Sequence, residues 1–437
     1  MRVIEILIER VSHTLNRPFS YVYKGIKVVE RGFRVLVNFN NQELVGYVIN
    51  AYNTDKSQEQ LSEELGFTIS EINDVLDSSP LLNDDLLELA DTISNYYLAP
   101  QISVLQTMLP PSLSPRKSSL NAPKIAYDQY VILLKDDEVW LTHKQIELLR
   151  LIKLEEKVLK REIKQVAVLN KLIESKRVKI IKEEKRRLEI PDYEYSIPKQ
   201  LTIDQQNVVN EFNNSNDLVY LLEGVTGSGK SEVYLKISEQ VLAQGKAVLM
   251  LFPEISLTPM MMEYFLRRFK DNVAILHSEL TPAEKYDEYR KIAKGECKVV
   301  VGARSAIFAP LNNIGLIILD EEHVESYKQD NLPFYHARDV AVLRAKKHNA
   351  KVLLGSATPC LESRARAQKG IYHLLRLDKR INQQPLPKTS IVNLSDWKNI
   401  DRESYLFSLK LRESINGVLD RKEQSILLPI IKFFGFF

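Results

Sequence analysis

Residues 219–231 read Val-Tyr-Leu-Leu-Glu-Gly-Val-Thr-Gly-Ser-Gly-Lys-Ser, and this stretch decides the fold. Its four leading apolar residues predict a buried strand, and its last eight, 224–231, complete the spacing G-x-x-x-x-G-K-S. A helix is predicted over 232–243, with Gly245 as its C-terminal stop. Strand, glycine loop and helix together make a phosphate cradle. The backbone from Gly224 through Val225, Thr226, Gly227, Ser228 and Gly229 turns its N–H groups inward, and the helix N-terminus adds partial positive charge. Lys230 is placed for the β- and γ-phosphates, and the Ser231 hydroxyl for Mg²⁺. These eight residues therefore predict a nucleoside triphosphate site.

At 437 residues the chain is expected to hold two to four domains. A hydrophobic fraction of 44% and a charged fraction of 27% belong to soluble globular proteins. With a net charge of only +3, any nucleic-acid surface must come from local patches. The two cysteines, Cys297 and Cys360, have no partners at metal-ligand spacing, which argues against a zinc site or disulfide framework and favours a reducing cytoplasm. Glu5 and Glu9 interrupt the first apolar stretch, against a signal peptide, and no run has the length of a membrane span.

Outward from the loop, apolar runs at 248–252, 273–276, 298–301, 316–319 and 352–354 alternate with helical stretches, so residues 198–385 predict a parallel α/β sheet. Its run 316–319 ends in Asp320-Glu-Glu-His323, whose first two carboxylates stand where such sheets place ligands. Asp320 suits a Mg²⁺ ion, and Glu321 suits a general base for the attacking water. His323 is positioned to couple the site to Ser356 or Thr358 of 355–359, Gly-Ser-Ala-Thr-Pro. Gln205, upstream of the loop, is expected to read an adenine edge.

Upstream, residues 1–50 alternate as strands, with turn signals at Gly32 and 38–41, and 51–112 turn helical. Phe19 and Tyr21 stand beside Arg17 and Lys24, a pattern able to stack nucleobases, although core aromatics with solvated charges fit it better. Within 113–197, three helices are predicted before a basic strand at 177–182, which fits a winged helix. The first opens on the capping box Thr142–Gln145, and the second lies near 160–166. The basic run 182–187 reads more readily as a solvated face than as a phosphate clamp. Two strand-end loops, 251–259 with Thr258 and 301–310 with Arg304 and Ser305, suit a sugar–phosphate backbone. The segment 326–338 carries Tyr327, Lys328, Tyr335, His336 and Arg338; its spacing fits a single-strand stacking surface and an ordinary surface loop with a few buried aromatics equally.

Taken together, 224–231, 252–259, 302–310, 320–323 and 355–359 resemble the motifs of superfamily 2 helicases. The tetrad 320–323 and the stretch 326–339 resemble the primosomal protein N′ (PriA) family in particular. That resemblance, running to about residue 425, implies a multidomain α/β protein: a β-rich 3′ DNA-end-binding domain with helical extension (1–112), a winged helix with linker (113–197) and a RecA-like lobe (198–385). It implies ATP-dependent 3′ to 5′ unwinding of branched DNA at stalled forks, loading of the replicative helicase, and primosome proteins and single-stranded DNA-binding protein as partners. Phe19 and Tyr21 match the family's 3′-end pocket, with Ser20 where an acidic residue is usual. A second lobe with an arginine finger and a zinc-binding cysteine-rich insertion is also implied. Residues 386–437 match only its start, lack the zinc ligands, and end in an apolar tail that reads as a frameshifted or prematurely ended frame, or as an apolar anchor. On that reading the 437-residue chain binds branched DNA, binds ATP weakly and unwinds nothing. The alternatives are a DNA- and ATP-binding fragment without turnover and, more remotely, a small-molecule kinase.

Overall fold

The computed structural model describes residues 1–114, 125–191, 193–253, 259–382, 388–394, 396 and 407–427. The chain divides into two compact units, Met1–Asn382 and Gln383–Phe437. In the second, the described residues form the helix Leu409–Asp420; most of the apolar tail lies outside the described residues.

The N-terminal module is built from β1 (Arg2–Ile8), β2 (Phe19–Tyr23), β3 (Arg34–Phe39), β4 (Gln42–Asn53), helix α1 (Gln58–Leu65), β5 (Asp74–Val75), α2 (Asp84–Tyr97) and α3 (Gln101–Met108). The strands lie in the order β2-β1-β4-β3-β5. Asn40 and Asn41 close the β3–β4 hairpin with φ of 49° and 59°, a conformation that asparagine tolerates better than most residues. Strand β4 runs past the expected end of the β region at residue 50, and β5 interrupts the segment expected to be helical.

Next come β6 (Tyr127–Leu133), α4 (His143–Leu154), β7 (Lys157–Leu159), α5 (Val166–Glu174) and β8 (Val178–Glu184), with an antiparallel sheet in the order β7-β6-β8. Thr142 and Gln145 form the capping box of α4. The helix expected near 160–166 is instead one 3-10 turn, Lys160–Glu162, because β7 occupies the preceding residues and leaves too little chain for a stable α-helix. The basic run lies largely at the surface, as a solvated face would: Lys182 and Arg186 are exposed, Arg186 pairs with Glu296 at 2.5 Å, and Arg187 turns to Asp287 at 2.7 Å.

Residues from 203 onward form α6 (Ile203–Asn214), β9 (Val219–Gly224), α7 (Lys230–Ala243), β10 (Ala247–Leu251), α8 (Pro259–Phe269), β11 (Val273–Leu276), α9 (Pro282–Ala293), β12 (Val299–Gly302), β13 (Ile314–Leu319), α10 (Ala337–His348), β14 (Lys351–Ser356), α11 (Leu361–Gln368) and β15 (His373–Leu377). The seven strands are parallel, in the order β11-β12-β10-β13-β14-β9-β15. Such strands are buried on both faces, hence their unbroken apolar runs. The outer edge of β11 is not left bare. Glu288 accepts the Ile275 N–H at 2.8 Å, and Lys291 donates to the Val273 carbonyl at 2.5 Å.

Residues 1–113 do not stand apart from this sheet. Leu7, Tyr47, Leu86, Ile93 and Leu105 share one apolar core with Phe308, Tyr327 and Val340. At its edge, the fully buried Arg344 reaches Asp85 at 3.2 Å and the carbonyls of Ile307 and Ala309 at 2.6 and 2.7 Å.

Candidate functional site

The loop 224–231 sits at the C-terminal end of β9, beside the ends of β14 and β13. Gly229 has φ 82°, and a Cβ there would strike the Gln205 amide, so the turn into α7 requires glycine. Thr226 and Gly227 are exposed, whereas Ser228 is buried. The Lys230 side chain, 10% exposed, donates to the Gly224 carbonyl at 3.1 Å, and its Nζ is 4.0 Å from Glu321 Oε1.

Asp320 is buried, and the Tyr234 hydroxyl donates to its Oδ1 at 2.8 Å. Burial pushes the Asp320 carboxyl above its ordinary range, and the bond from Tyr234 works against that shift. Gly355 makes the contact possible, because a Cβ there would overlap the Tyr234 hydroxyl. Glu321 has φ 45°, a left-handed conformation that non-glycine residues adopt mainly where their surroundings impose it. Its flanks are fixed: Asp320 N–H donates to the Leu251 carbonyl and Glu322 N–H to the Gly355 carbonyl, each at 3.0 Å. His323 Nδ1 lies 2.8 Å from Ser356 Oγ, and Nε2 lies 3.5 Å from Thr358 Oγ1.

Gln205 is placed differently from expectation. It is 3% exposed; its Oε1 accepts the Thr202 N–H at 2.9 Å, and its Nε2 donates to the Ser228 carbonyl at 3.0 Å. Both ends of the amide are engaged in closing the α6 capping box and holding the phosphate loop, which leaves no edge presented to a base. The sequence reading also passed over β15. The Val225 N–H donates to the Leu377 carbonyl at 3.1 Å and the Ile381 N–H to the Gly227 carbonyl at 3.0 Å, so this strand and its exit brace the loop.

The 326–338 segment is largely turned inward. Tyr327 and Tyr335 are fully buried, which removes them as stacking surfaces. The Tyr327 hydroxyl lies within hydrogen-bond distance of the carbonyls of Asp320, at 2.7 Å, and Leu251, at 3.0 Å. Arg338, 8% exposed, pairs with the buried Glu322 at 3.1 Å and bonds Ser363 at 3.2 Å. Arg304 donates to the carbonyls of Ser326 and Lys328, anchoring the segment's start. Half-buried His336 accepts the Arg338 N–H on Nδ1 at 3.2 Å. What faces outward is Lys328, Leu332 and the ring of Phe334, 45% exposed, a residue that the sequence reading missed. Ser305 is exposed on its own strand-end turn, and Thr258 lies outside the described residues.

In the N-terminal sheet, Tyr21 is 5% exposed and donates to the Asn38 carbonyl at 3.1 Å, so its ring belongs to the core. Phe19 is half-buried, edge-on to Phe39 at 5.0 Å, with the Arg17 guanidinium 5.4 Å from its centroid.

The donor set fits a nucleotide with Mg²⁺. Ser228 Oγ is buried with no partner among the described residues, inside a loop whose glycines leave the cradle clear. Asp320 is a buried carboxylate, and Ser231 opens the same helix as Lys230. Among the described residues there is no cluster of three or more His, Cys, Asp or Glu side chains placed to hold a metal. No helix among them is long and apolar enough to cross a membrane.

Comparison with known proteins agrees with this geometry. Residues 5–110 match a PriA family model described as a 3′DNA-binding domain (3′BD), and 202–366 match one described as DEAD/DEAH box helicase. The chain is 34% identical to replication restart protein PriA of Bacillus subtilis, over 98% of this chain and 62% of that protein. It is 33% identical to the Chlamydia pneumoniae protein of the same name, over 95% of this chain and 57% of that protein. The Synechocystis protein of that name is 46% identical over 47% of this chain and 25% of its own. The chain thus spans about three-fifths of the length of the first two relatives. The N-terminal sheet and the nucleotide lobe each match a family model, and over nearly its whole length the chain is similar to the PriA replication restart proteins.

Proposed function

We propose that the chain binds ATP at 224–231 and branched DNA through residues 1–112 and the strand-end loops. We propose further that the activity this site serves is ATP-driven 3′ to 5′ unwinding at stalled forks, which opens DNA for the replicative helicase. The observation that supports this is the convergence of Lys230, beyond β9, with Asp320, Glu321 and His323, beyond β13, across the end of β14, with Lys230 Nζ 4.0 Å from Glu321. Lys230 is the point charge for the terminal phosphates, while Ser231 and Asp320 are the residues to hold Mg²⁺. When bound, the ion supplies Lewis-acid stabilisation of phosphate oxygens. Glu321 orients the attacking water and takes its proton. His323 links this chemistry to Ser356 and Thr358, and so to strand-dependent changes in the 355–359 loop.

The same reading divides the chain into a DNA-end module (1–112), a winged helix with linker (113–197), the nucleotide lobe (198–385) and the beginning of a further lobe (386–437). Phe19, Arg304, Ser305, Lys328 and Phe334 are the candidate DNA contacts within it. Primosome proteins and single-stranded DNA-binding protein are its partners, in the cytoplasm, and zinc is left unassigned to any residue of this chain. The test is phosphate release from ATP in the presence of forked DNA. Glu321→Gln is expected to bind ATP as the parent does and to release phosphate roughly 10²–10⁴-fold more slowly. Release at the parent rate would require a different base.

A further inference from the structure

Tyr97, the last residue of α2, lies at the join between the N-terminal module and the nucleotide lobe. Its hydroxyl accepts the His336 N–H at 3.0 Å and donates to Asp339 Oδ2 at 3.2 Å. The ammonium of Lys328 stands 5.4 Å from the centre of its ring. One phenol thus holds both ends of the 328–339 stretch, and His336 is also the N-cap of α10.

The other end of α2 is fixed. Asp85 meets Arg344 at 3.2 Å, Lys347 at 3.3 Å and His348 at 3.0 Å, all on α10. Between Asp85 and Tyr97 the helix is a bar of about 18 Å at 1.5 Å per residue. From the segment, two ties run on to the nucleotide site. The Tyr327 hydroxyl lies 2.7 Å from the Asp320 carbonyl, and Arg338 holds Glu322, the neighbour of Glu321. A shift of about 1 Å at the module would take both Tyr97 hydrogen bonds out of range.

We propose that Tyr97 is a positioning residue through which DNA on the N-terminal module changes the affinity of the nucleotide site. It sets the 328–339 stretch, which in turn sets the carboxylates 320–322. The inference rests on the ATP and DNA reading above and adds to it the route between the two sites.

The experiment measures the affinity of the 437-residue chain for a fluorescent non-hydrolysable ATP analogue, with and without forked DNA bearing a free 3′ end. In the parent, DNA is expected to change that affinity by roughly 5- to 150-fold, and by linkage the analogue changes DNA affinity by the same factor. Tyr97→Phe, which keeps the ring, and Asp339→Ala are expected to bring the factor within about twofold of unity. Each ligand measured alone should stay within about twofold of the parent, with the melting temperature held, which a merely structural role would not produce. A parent-sized factor in both variants overturns the proposal and leaves the ATP and DNA reading standing. A parent that binds both ligands with no linkage does the same. A parent that fails to bind the analogue overturns that reading along with the proposal.

Discussion

The Tyr234 hydroxyl donates to Asp320 Oδ1 across 2.8 Å, and Gly355 lies where any side chain would collide with that hydroxyl. A residue of α7, a carboxylate at the end of β13 and a glycine of β14 thus fix one oxygen atom. Tyr234→Phe would leave that buried carboxylate oxygen without its side-chain donor, at a cost of about 1–3 kcal/mol. Gly355→Ala should act in the same direction by displacing the phenol. Urea denaturation should show both variants destabilised. A Mg²⁺ titration of nucleotide binding should need more ion for half-saturation, and parent-like behaviour in both measurements would detach Tyr234 from the site.

The Asp85–Arg344 clamp predicts a particular acid limb of stability. Burial alone would push the Asp85 carboxyl up, but the bond from His348 and the charges of Arg344 and Lys347 outweigh it and hold the pKa down to about 2. The unfolded value is about 3.9, so the folded state favours the charged form. Its contribution is therefore complete above about pH 4 and is lost as pH falls through about 2. By linkage it is on the order of 2–3 kcal/mol. The urea midpoint of the parent should drop through that window, and Asp85→Asn should start lower and fall less. An Asp85→Asn curve parallel to the parent's would place the acid sensitivity elsewhere.

Much of the lobe was legible because its strands are buried on both faces, so 219–222, 248–252 and 316–319 stand out as apolar runs closed by polar ends. Strand β15, His-Leu-Leu-Arg-Leu, escaped notice because it lies at the sheet edge and His373 and Arg376 leave only two consecutive apolar residues between them. The phosphate loop and the 320–323 tetrad could be read because their chemistry fixes residue type and spacing together. Gln205 was misread although its alternative was visible: Thr202 three residues earlier makes a capping box, and that bond engages the amide oxygen. For Tyr327, Tyr335 and Arg338 the spacing left a stacking surface and a loop with buried aromatics equally open. Aromatic and basic density does not say which way a side chain points, and here carbonyls of the lobe engage Tyr327, the Phe308 ring packs on Tyr335, and Glu322 holds Arg338. Tyr97 gave no sequence signal, because its partners are more than 200 positions away.

The central claim is that residues 224–231 hold the phosphates of ATP with Lys230 as the terminal charge. It is tested by titrating a fluorescent ATP analogue into the 437-residue chain and into Lys230→Ala, with Mg²⁺ present, by anisotropy. Loss of a charge-assisted hydrogen bond is worth about 1.5–3 kcal/mol, so Lys230→Ala should bind roughly ten- to hundredfold more weakly, while its affinity for forked DNA stays within about twofold. Equal affinity of the two chains for the analogue would contradict the account.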